Sequence, residues 1–436
     1  MTTKSFFIAN QKYDSISSLQ TLFAALLFIF ILSFNLFSAS KEEAKRQIEE
    51  ILNYIPASTR VGVLIYNPLL RDTLFQLNHT QSMIPASNTK LFTTAVALSN
   101  LGGDFNISTK LFTDDSNLND GIVNGNLYLK GFGNSTFTQY DLERMVDELK
   151  YKGITRITGS IIGDDTYFDD VYMRDDWIAD ETANVKLPPI SALTLDRNRK
   201  VIQKRRGRRI RTSVVAVQNP PLNAASILRT KLIEAGIKVD KEARSGETPE
   251  LPKLIAESTI KLKELLKPIN KSSDNFLAEG LFKTIGAEAS QIQGNAFYST
   301  QAILDFIEDN GIYSTGTAVV DGSGISRFDQ ITPGAIVGLL EVMYFDINNY
   351  NDYYNSLAIA GVDGTLRHRM RGSLAENNFR GKTGSLRGIT SLAGYLKTKS
   401  NEDIIVSFIF EFQQGGSDFY KSIEDDIVKI LCGIDQ

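Results

Sequence analysis

The sharpest contrast between apolar and polar positions lies at the start of the chain. Residues 15–40 hold no charged side chain, and 22–37 (LFAALLFIFILSFNLF) are apolar almost without a break. No amphipathic face exists there, so a buried core helix is a poor account of it. Beyond residue 40 the pattern is that of a folded protein. Residues 41–54 (KEEAKRQIEEILNY) combine helix formers with apolar positions on one face, which predicts a surface helix. The runs 60–66 and 73–77, separated by Asn67-Pro68 and Arg71-Asp72, predict a β-hairpin. Pro85 stands just before Ser87 and the apolar run 91–98, which marks a helix start. From 102 to 252 the texture turns to short β-rich pieces with Gly and Asp turns, such as 121–130 and 157–163. Helices are predicted near 277–284, 290–309 and 333–343, strands at 389–396 and 403–412, and a closing helix at 420–431. The expected fold is α/β (α+β). Residues 41–101 and 253–436 form one domain whose two ends share a sheet, 102–252 form an inserted β-rich region, and 1–40 stand apart. A chain of 436 residues is long enough for such a division.

Lys4 and Lys12 precede the apolar run and Ser38-Ala39-Ser40 follow it, with small residues where a signal peptidase cuts. Uncleaved, the same run is long enough to anchor the chain in a bilayer. Either way the remainder is exported, in the periplasm or another extracytoplasmic space. The net charge of -4 gives no global field for nucleic acid, so no nucleic-acid partner is expected. The lone Cys432 excludes an intramolecular disulfide and reads as helix packing. His79 and His368 lie in polar surroundings without metal spacing, so neither a metal site nor a cofactor is expected.

Three short patterns occur in order: Ser87-Asn88-Thr89-Lys90, Ser273-Asp274-Asn275 and Lys382-Thr383-Gly384. The first alone is weak, but the ordered set is specific. At a helix start, residues three apart share a face, so the Lys90 ammonium reaches the Ser87 hydroxyl. A serine hydroxyl needs a neighbouring base to become a nucleophile. Lys90 serves as that base if burial and a second cation such as Lys382 depress its pKa. Ser273 is placed to relay the proton to a leaving amine, and Asn275 to hold a substrate peptide bond and Lys90. Lys382 and Thr383 offer a cation and a hydroxyl to a free carboxylate. Gly384 permits close backbone approach, and the N–H groups of Ser87 and Ser385 form a candidate oxyanion hole.

On these motifs the chain resembles the penicillin-binding protein 4 (DacB-like) family of D-alanyl-D-alanine carboxypeptidases and endopeptidases. The stretches Val320-Asp-Gly-Ser-Gly-Ile-Ser-Arg327, Ala360-Gly-Val-Asp-Gly-Thr-Leu366 and Pro189-Ile-Ser-Ala-Leu-Thr-Leu195 are similar to that family's flanking signatures. The resemblance covers nearly the whole chain after residue 40. It implies a penicillin-recognising, transpeptidase/β-lactamase-like fold and a large insertion after the first motif, here with its outer part trimmed. It also implies peptidoglycan stem peptides as substrate and β-lactam antibiotics as covalent inhibitors. Positions matching those that grip a diamino acid side chain in the family are Asp164, Arg327 and Arg387. Arg387 departs from the neutral amide common in relatives, which puts the side-chain preference in doubt. For Asp164 a plain turn residue is an equal reading.

Asp321-Gly322-Ser323-Gly324 lacks a base at fixed spacing and reads as a turn, and His368 reads as a surface residue. Residues 197–211 (RNRKVIQKRRGRRIR) carry nine basic side chains and no acidic one. A solvated β-hairpin turning at Gly207 is the plain reading, and contact with anionic wall polymer or a membrane surface the sharper one. A serine β-lactamase shares the first chemical steps. The class A motif for activating deacylating water is absent between Asn275 and Lys382, so fast antibiotic hydrolysis is not expected. A Gly-x-Ser-x-Gly elbow is also absent, and Glu376 stands where a phosphate loop before Lys382 requires glycine. A catalytically silent wall-binding scaffold is the alternative from another class.

Overall fold

The computed structural model describes residues 40–117, 120–177, 187–206 and 209–435. The apolar run at 22–37 lies outside them. Among the described residues, no helix is long and apolar enough to cross a membrane.

Strand-forming runs near both ends of the chain meet in one six-stranded antiparallel sheet. Its order is Ala358–Ile359, Arg380–Leu386, Ile389–Lys397, Asp403–Glu411, Arg60–Asn67, Asp72–Leu77. The join between the chain's two ends is the pairing of Leu64 with Ser407 and Ile65 with Val406. Period-two alternation then gives the sheet two apolar faces. Val63, Ile65, Leu392, Val406 and Phe408 bury one face against the helices Lys41–Asn53 and Ser417–Cys432, with Cys432 inside that core. Leu64, Ala393, Tyr395, Ile405 and Ile409 bury the other against Thr89–Leu101, Leu262–Lys271, Asn275–Ser290, Ala296–Asp309 and Pro333–Phe345. Helices on both faces satisfy the sheet, a three-layer arrangement.

A second unit has its own core, including Leu111, Leu129, Leu142, Leu149, Ile161 and Leu228. Its five-stranded sheet runs Arg244–Ser245, Ile161–Asp164, Leu127–Phe132, Asn106–Thr113, Lys253–Lys261. The entering and leaving strands pair along their lengths, Asn106 opposite Lys261 and Thr113 opposite Lys253. Sequence texture assigns Lys253–Lys261 to the main domain, but its register makes it an edge strand of this inserted sheet. The unit is also less purely β than its glycine and aspartate turns suggest. It contains the helices Gln139–Tyr151 and Pro220–Glu234, the first started by a Thr138–Asp141 capping box. Leu127–Phe132 and Ile161–Asp164 run parallel, a pairing that requires such a crossover helix.

The basic stretch forms an antiparallel hairpin of Arg199–Arg206 and Arg209–Ala216, with Arg206 opposite Arg209. At its root Asp196, Arg197 and Asn198 are all left-handed, at φ 49°, 57° and 51°. Three consecutive non-glycine residues in that region are costly and must be held by surrounding contacts.

Candidate active site

Ser87 sits in the 3-10 turn Ala86–Asn88 that leads into the helix Thr89–Leu101. One helical turn on, Lys90 is fully buried, and its Nζ donates to Ser87 Oγ at 3.0 Å. The same Nζ donates to Asn275 Oδ1 at 2.6 Å and to the Ser323 carbonyl at 2.5 Å. Three acceptors surround a group with three hydrogens as an ammonium. Burial pulls its pKa down from the usual 10.5 to about 8, against the opposing pull of Asp321, Glu279, Asp274 and Asp329.

Asp274 caps the helix Asn275–Ser290 by accepting from Leu277 N, which fixes Asn275 at the helix start and Ser273 just outside it. Ser273 is itself left-handed, at φ 56°. Asp274 is held from the inserted unit by both guanidinium arms of Arg197, at 2.7 and 2.8 Å. Lys382, on the strand Arg380–Leu386, is also fully buried and donates to Ser273 Oγ at 2.8 Å and to the Thr383 carbonyl at 2.7 Å. Its pKa is pushed well below the ordinary lysine value, first by burial and then by the charge of Lys90. Two buried lysine cations disfavour each other's charge, so the neighbouring cation expected from the sequence is present.

Thr383 Oγ1 is bonded to Thr365 Oγ1 at 2.8 Å, and Ser385 is exposed on the same strand. Ser391 Oγ on the next strand donates to the Pro85 carbonyl at 2.7 Å, which stitches the nucleophile turn to the sheet. Gly384 has to be glycine: a Cβ there would lie 2.2 Å from Ser391 Oγ, 2.8 Å from Pro85 O and 3.0 Å from Ser87 N. The structure thereby brings together Ser87, Lys90, Ser273, Asn275, Lys382 and the Thr383–Ser385 strand segment.

The more distant candidates divide. Arg327 donates to the backbone carbonyl of Arg387 at 2.7 Å, so these two meet beside the turn that follows the Arg380–Leu386 strand. Asp164 is different. It has no exposed surface, and its carboxylate accepts from Thr166 N, Thr166 Oγ1 and Thr248 N and pairs with Lys130 at 3.1 Å. These contacts leave it no accessible oxygen for a substrate side chain, which fits the turn reading. His368 is exposed.

The residues that sequence reasoning missed lie behind Lys90. Asp321 Oδ1 accepts from Ser323 N and Gly324 N, at 3.0 and 2.6 Å, and Oδ2 from Ser326 N at 2.8 Å and Trp177 Nε1 at 3.1 Å. Glu279 Oε1 accepts from Gly322 N at 3.1 Å, and Asp329 Oδ1 from Val320 N at 2.7 Å. The available signal is Glu279 standing four residues after Asn275, alone among the apolar Phe276–Phe282 turns of the Asn275–Ser290 helix. It was not used.

The description of the D-Ala-D-Ala carboxypeptidase 3 (S13) family matches residues 44–209 and 205–432. The chain belongs to that family. A D-alanyl-D-alanine carboxypeptidase from Actinomadura sp. strain R39 is 26% identical over 410 residues, covering 78% of this chain and 76% of that protein. The D-alanyl-D-alanine carboxypeptidase DacB of Haemophilus influenzae is 24% identical, covering 85% and 90%. Among solved structures, penicillin-binding protein 4 (dacB) of Haemophilus influenzae superposes with a TM-score of 0.77 at 22% identity, covering 88% of this chain and 99% of that one. Its complex with a β-lactam superposes at 0.72. The S13 family fold is therefore present across both sheets, inserted unit included.

Proposed function

We infer that this S13 chain is a serine D-Ala-D-Ala carboxypeptidase/endopeptidase that acts on peptidoglycan stem peptides through an acyl-enzyme on Ser87. The observation that carries the reading is the donor geometry at Lys90. A neutral lysine has two hydrogens and one lone pair. With the hydrogens given to Asn275 Oδ1 and the Ser323 carbonyl, the lone pair is left for the Ser87 hydroxyl at 3.0 Å. Ser87 Oγ then attacks the carbonyl carbon of the penultimate D-Ala as its proton passes to Lys90 Nζ. The backbone N–H groups of Ser87 and Ser385 receive the oxyanion. When the C–N bond breaks, Ser273, hydrogen-bonded to Lys382, relays a proton from Lys90 to the departing amine. A substrate carboxylate docking at Lys382 and Thr383 favours the charged lysine despite its burial. Water completes the cycle by releasing the acyl group from Ser87. β-Lactams enter by the same acylation step.

Arg327 and Arg387, which meet at the Arg387 carbonyl just after the Arg380–Leu386 strand, are the candidates for recognising the substrate side chain. Contact of the basic 197–211 stretch with anionic phosphates, of wall polymer or lipid head groups, belongs to the same reading, as does export by residues 1–40. The inserted unit between the Asn106–Thr113 and Lys253–Lys261 strands is a separate domain in this reading.

Intact-mass spectrometry of residues 41–436 with benzylpenicillin tests it. One lasting adduct in the parent and none in Ser87→Ala is the expected result. Antibiotic consumed without an adduct favours a β-lactamase, and an inert parent favours a silent scaffold.

A further inference from the structure

Behind Lys90, three carboxyl groups that make no hydrogen bond to Ser87 are packed into the core. Glu279 is 3% exposed, and Asp321 and Asp329 are fully buried. Buried carboxyls are costly, and each must be hydrogen-bonded or neutralised. Here every hydrogen bond they accept from the backbone comes from one short stretch: Val320, Asp321, Gly322, Ser323, Gly324 and Ser326. That stretch carries the Ser323 carbonyl, which holds Lys90 Nζ, and Gly324, which lies against the Ala86 carbonyl next to Ser87. Asp329 also reaches the nucleophile helix directly, through Thr89 Oγ1 at 3.3 Å.

We propose that Glu279 and Asp321 are positioning residues for the general base, which fix the Asp321–Ser326 turn against Lys90 and couple the lysine's proton to a buried carboxyl. The proposal rests on the acyl-enzyme reading above. The charged groups around Lys90 are Asp274 and Glu279 from the Asn275–Ser290 helix and its cap, Asp321 and Asp329 from the turn, and Lys382 from the sheet. Arg174, paired with Asp176, faces the cluster from the inserted unit.

Burial first, and then the charge of Asp321, push Glu279 up to about 8. The same two causes, in the same order, push Asp329 well above the ordinary carboxyl range. Glu279 and Lys90 thus change charge near the same pH, and each responds to the other's charge. An anionic Glu279 holds Lys90 charged, and a neutral one frees it to act as base. Replacing the carboxyl by an amide of the same shape removes the anion while still accepting from Gly322 N. The acid limb of acylation must then move to lower pH.

The experiment is the benzylpenicillin acylation rate of residues 41–436 between pH 5 and 9, for the parent, Glu279→Gln and Asp321→Asn. The expected result is an acid limb about half a pH unit or more lower in Glu279→Gln, with the plateau rate largely kept. A limb that stays with the parent's, accompanied only by a lower Tm, overturns the proposal, because a purely structural cap would do that. Asp321→Asn tests the turn instead: an amide nitrogen cannot accept the bonds that Oδ1 or Oδ2 takes from Ser323 N, Gly324 N, Ser326 N and Trp177 Nε1, so a fall in its plateau rate is expected and an unchanged plateau overturns the positioning role of Asp321. Should Glu279→Gln not fold, the parent decides: coupling broadens its limb beyond a one-proton curve, and a clean one-proton limb overturns the proposal. If the parent is never acylated, it is the acyl-enzyme reading that fails.

Discussion

Lys90 shows how burial turns a surface residue type into a candidate base. Exposed and unfolded, a lysine keeps its ordinary 10.5, whereas in the fold it falls to about 8 because burial outweighs four surrounding carboxyls. Two consequences differ in sign. For stability, the unfolded chain binds more protons than the fold between about pH 8 and 10.5, so this group's contribution improves as pH rises through that window and is least favourable below it. For reactivity, the neutral amine grows in as pH passes about 8. The acylation rate of the parent is therefore expected to climb with pH and level off above a midpoint near 8, read by stopped-flow competition with a fluorescent penicillin. A midpoint near 10 would mean that the lysine is solvated and the buried geometry is not the reactive one. Ser87, Lys90, Ser273, Asn275 and Lys382 were legible because their chemistry lies in side chains at fixed spacing. The Ser323 carbonyl was not, since a backbone acceptor leaves no residue type to recognise.

At the scale of elements, the nucleophile turn is set by what packs against it. Ala86 is left-handed at φ 48°, and its carbonyl faces Gly324. A Cβ on Gly324 would come within 1.9 Å of that oxygen, and Gly324 itself has φ +75°. Gly324→Ala must displace the turn that holds Ser87. A shift of about 1 Å at a reacting atom costs on the order of 100-fold in rate, and acylation is expected to fall at least that far. Gly102→Ala is the control. Gly102 also has a positive φ, at +79°, where a Cβ is strained, but nothing lies within 4 Å of that Cβ. The variant should destabilise by more than about 1 kcal/mol, read as a lower Tm, and leave acylation unchanged. Equal acylation losses in the two variants would show that strain, and not the contact with Ala86, governs the turn. Elements with strong periodicity were legible in the sequence, as with the hairpin Arg60–Asn67/Asp72–Leu77 and the closing helix Ser417–Cys432. The helix Leu262–Lys271 went unseen although it is amphipathic, because Pro268 lies inside it and reads as a breaker.

For the molecule as a whole, charge is distributed more unevenly than a net -4 suggests. Nine positive residues are gathered in 197–211, so the remainder of the chain is strongly negative. Arg197 is committed to Asp274, at the root of the arm, and the ribbon extends from there through eight paired positions, roughly 25 Å at the usual strand rise. Val201, Ile210 and Val214 are each more than 60% exposed on it. By register they share one face, since Val201 pairs with Val214 and Ile210 with Arg205. A polyanion alone leaves such aliphatic side chains uncovered, whereas a bilayer interface takes up both them and the cations. Changing Arg205, Arg206, Arg208, Arg209 and Arg211 together to serine spares the Arg197 clamp, and benzylpenicillin acylation should stay at the parent's rate. Residues 41–436, which contain every described element and lack the apolar run, are expected to sediment with phosphatidylglycerol vesicles at low salt. The serine variant should remain in solution, as should the parent once salt screens the head groups. Sedimentation with purified walls but not with vesicles would assign the arm to wall polymer. Equal sedimentation of parent and variant would remove the arm from surface binding altogether and leave it a solvated ribbon.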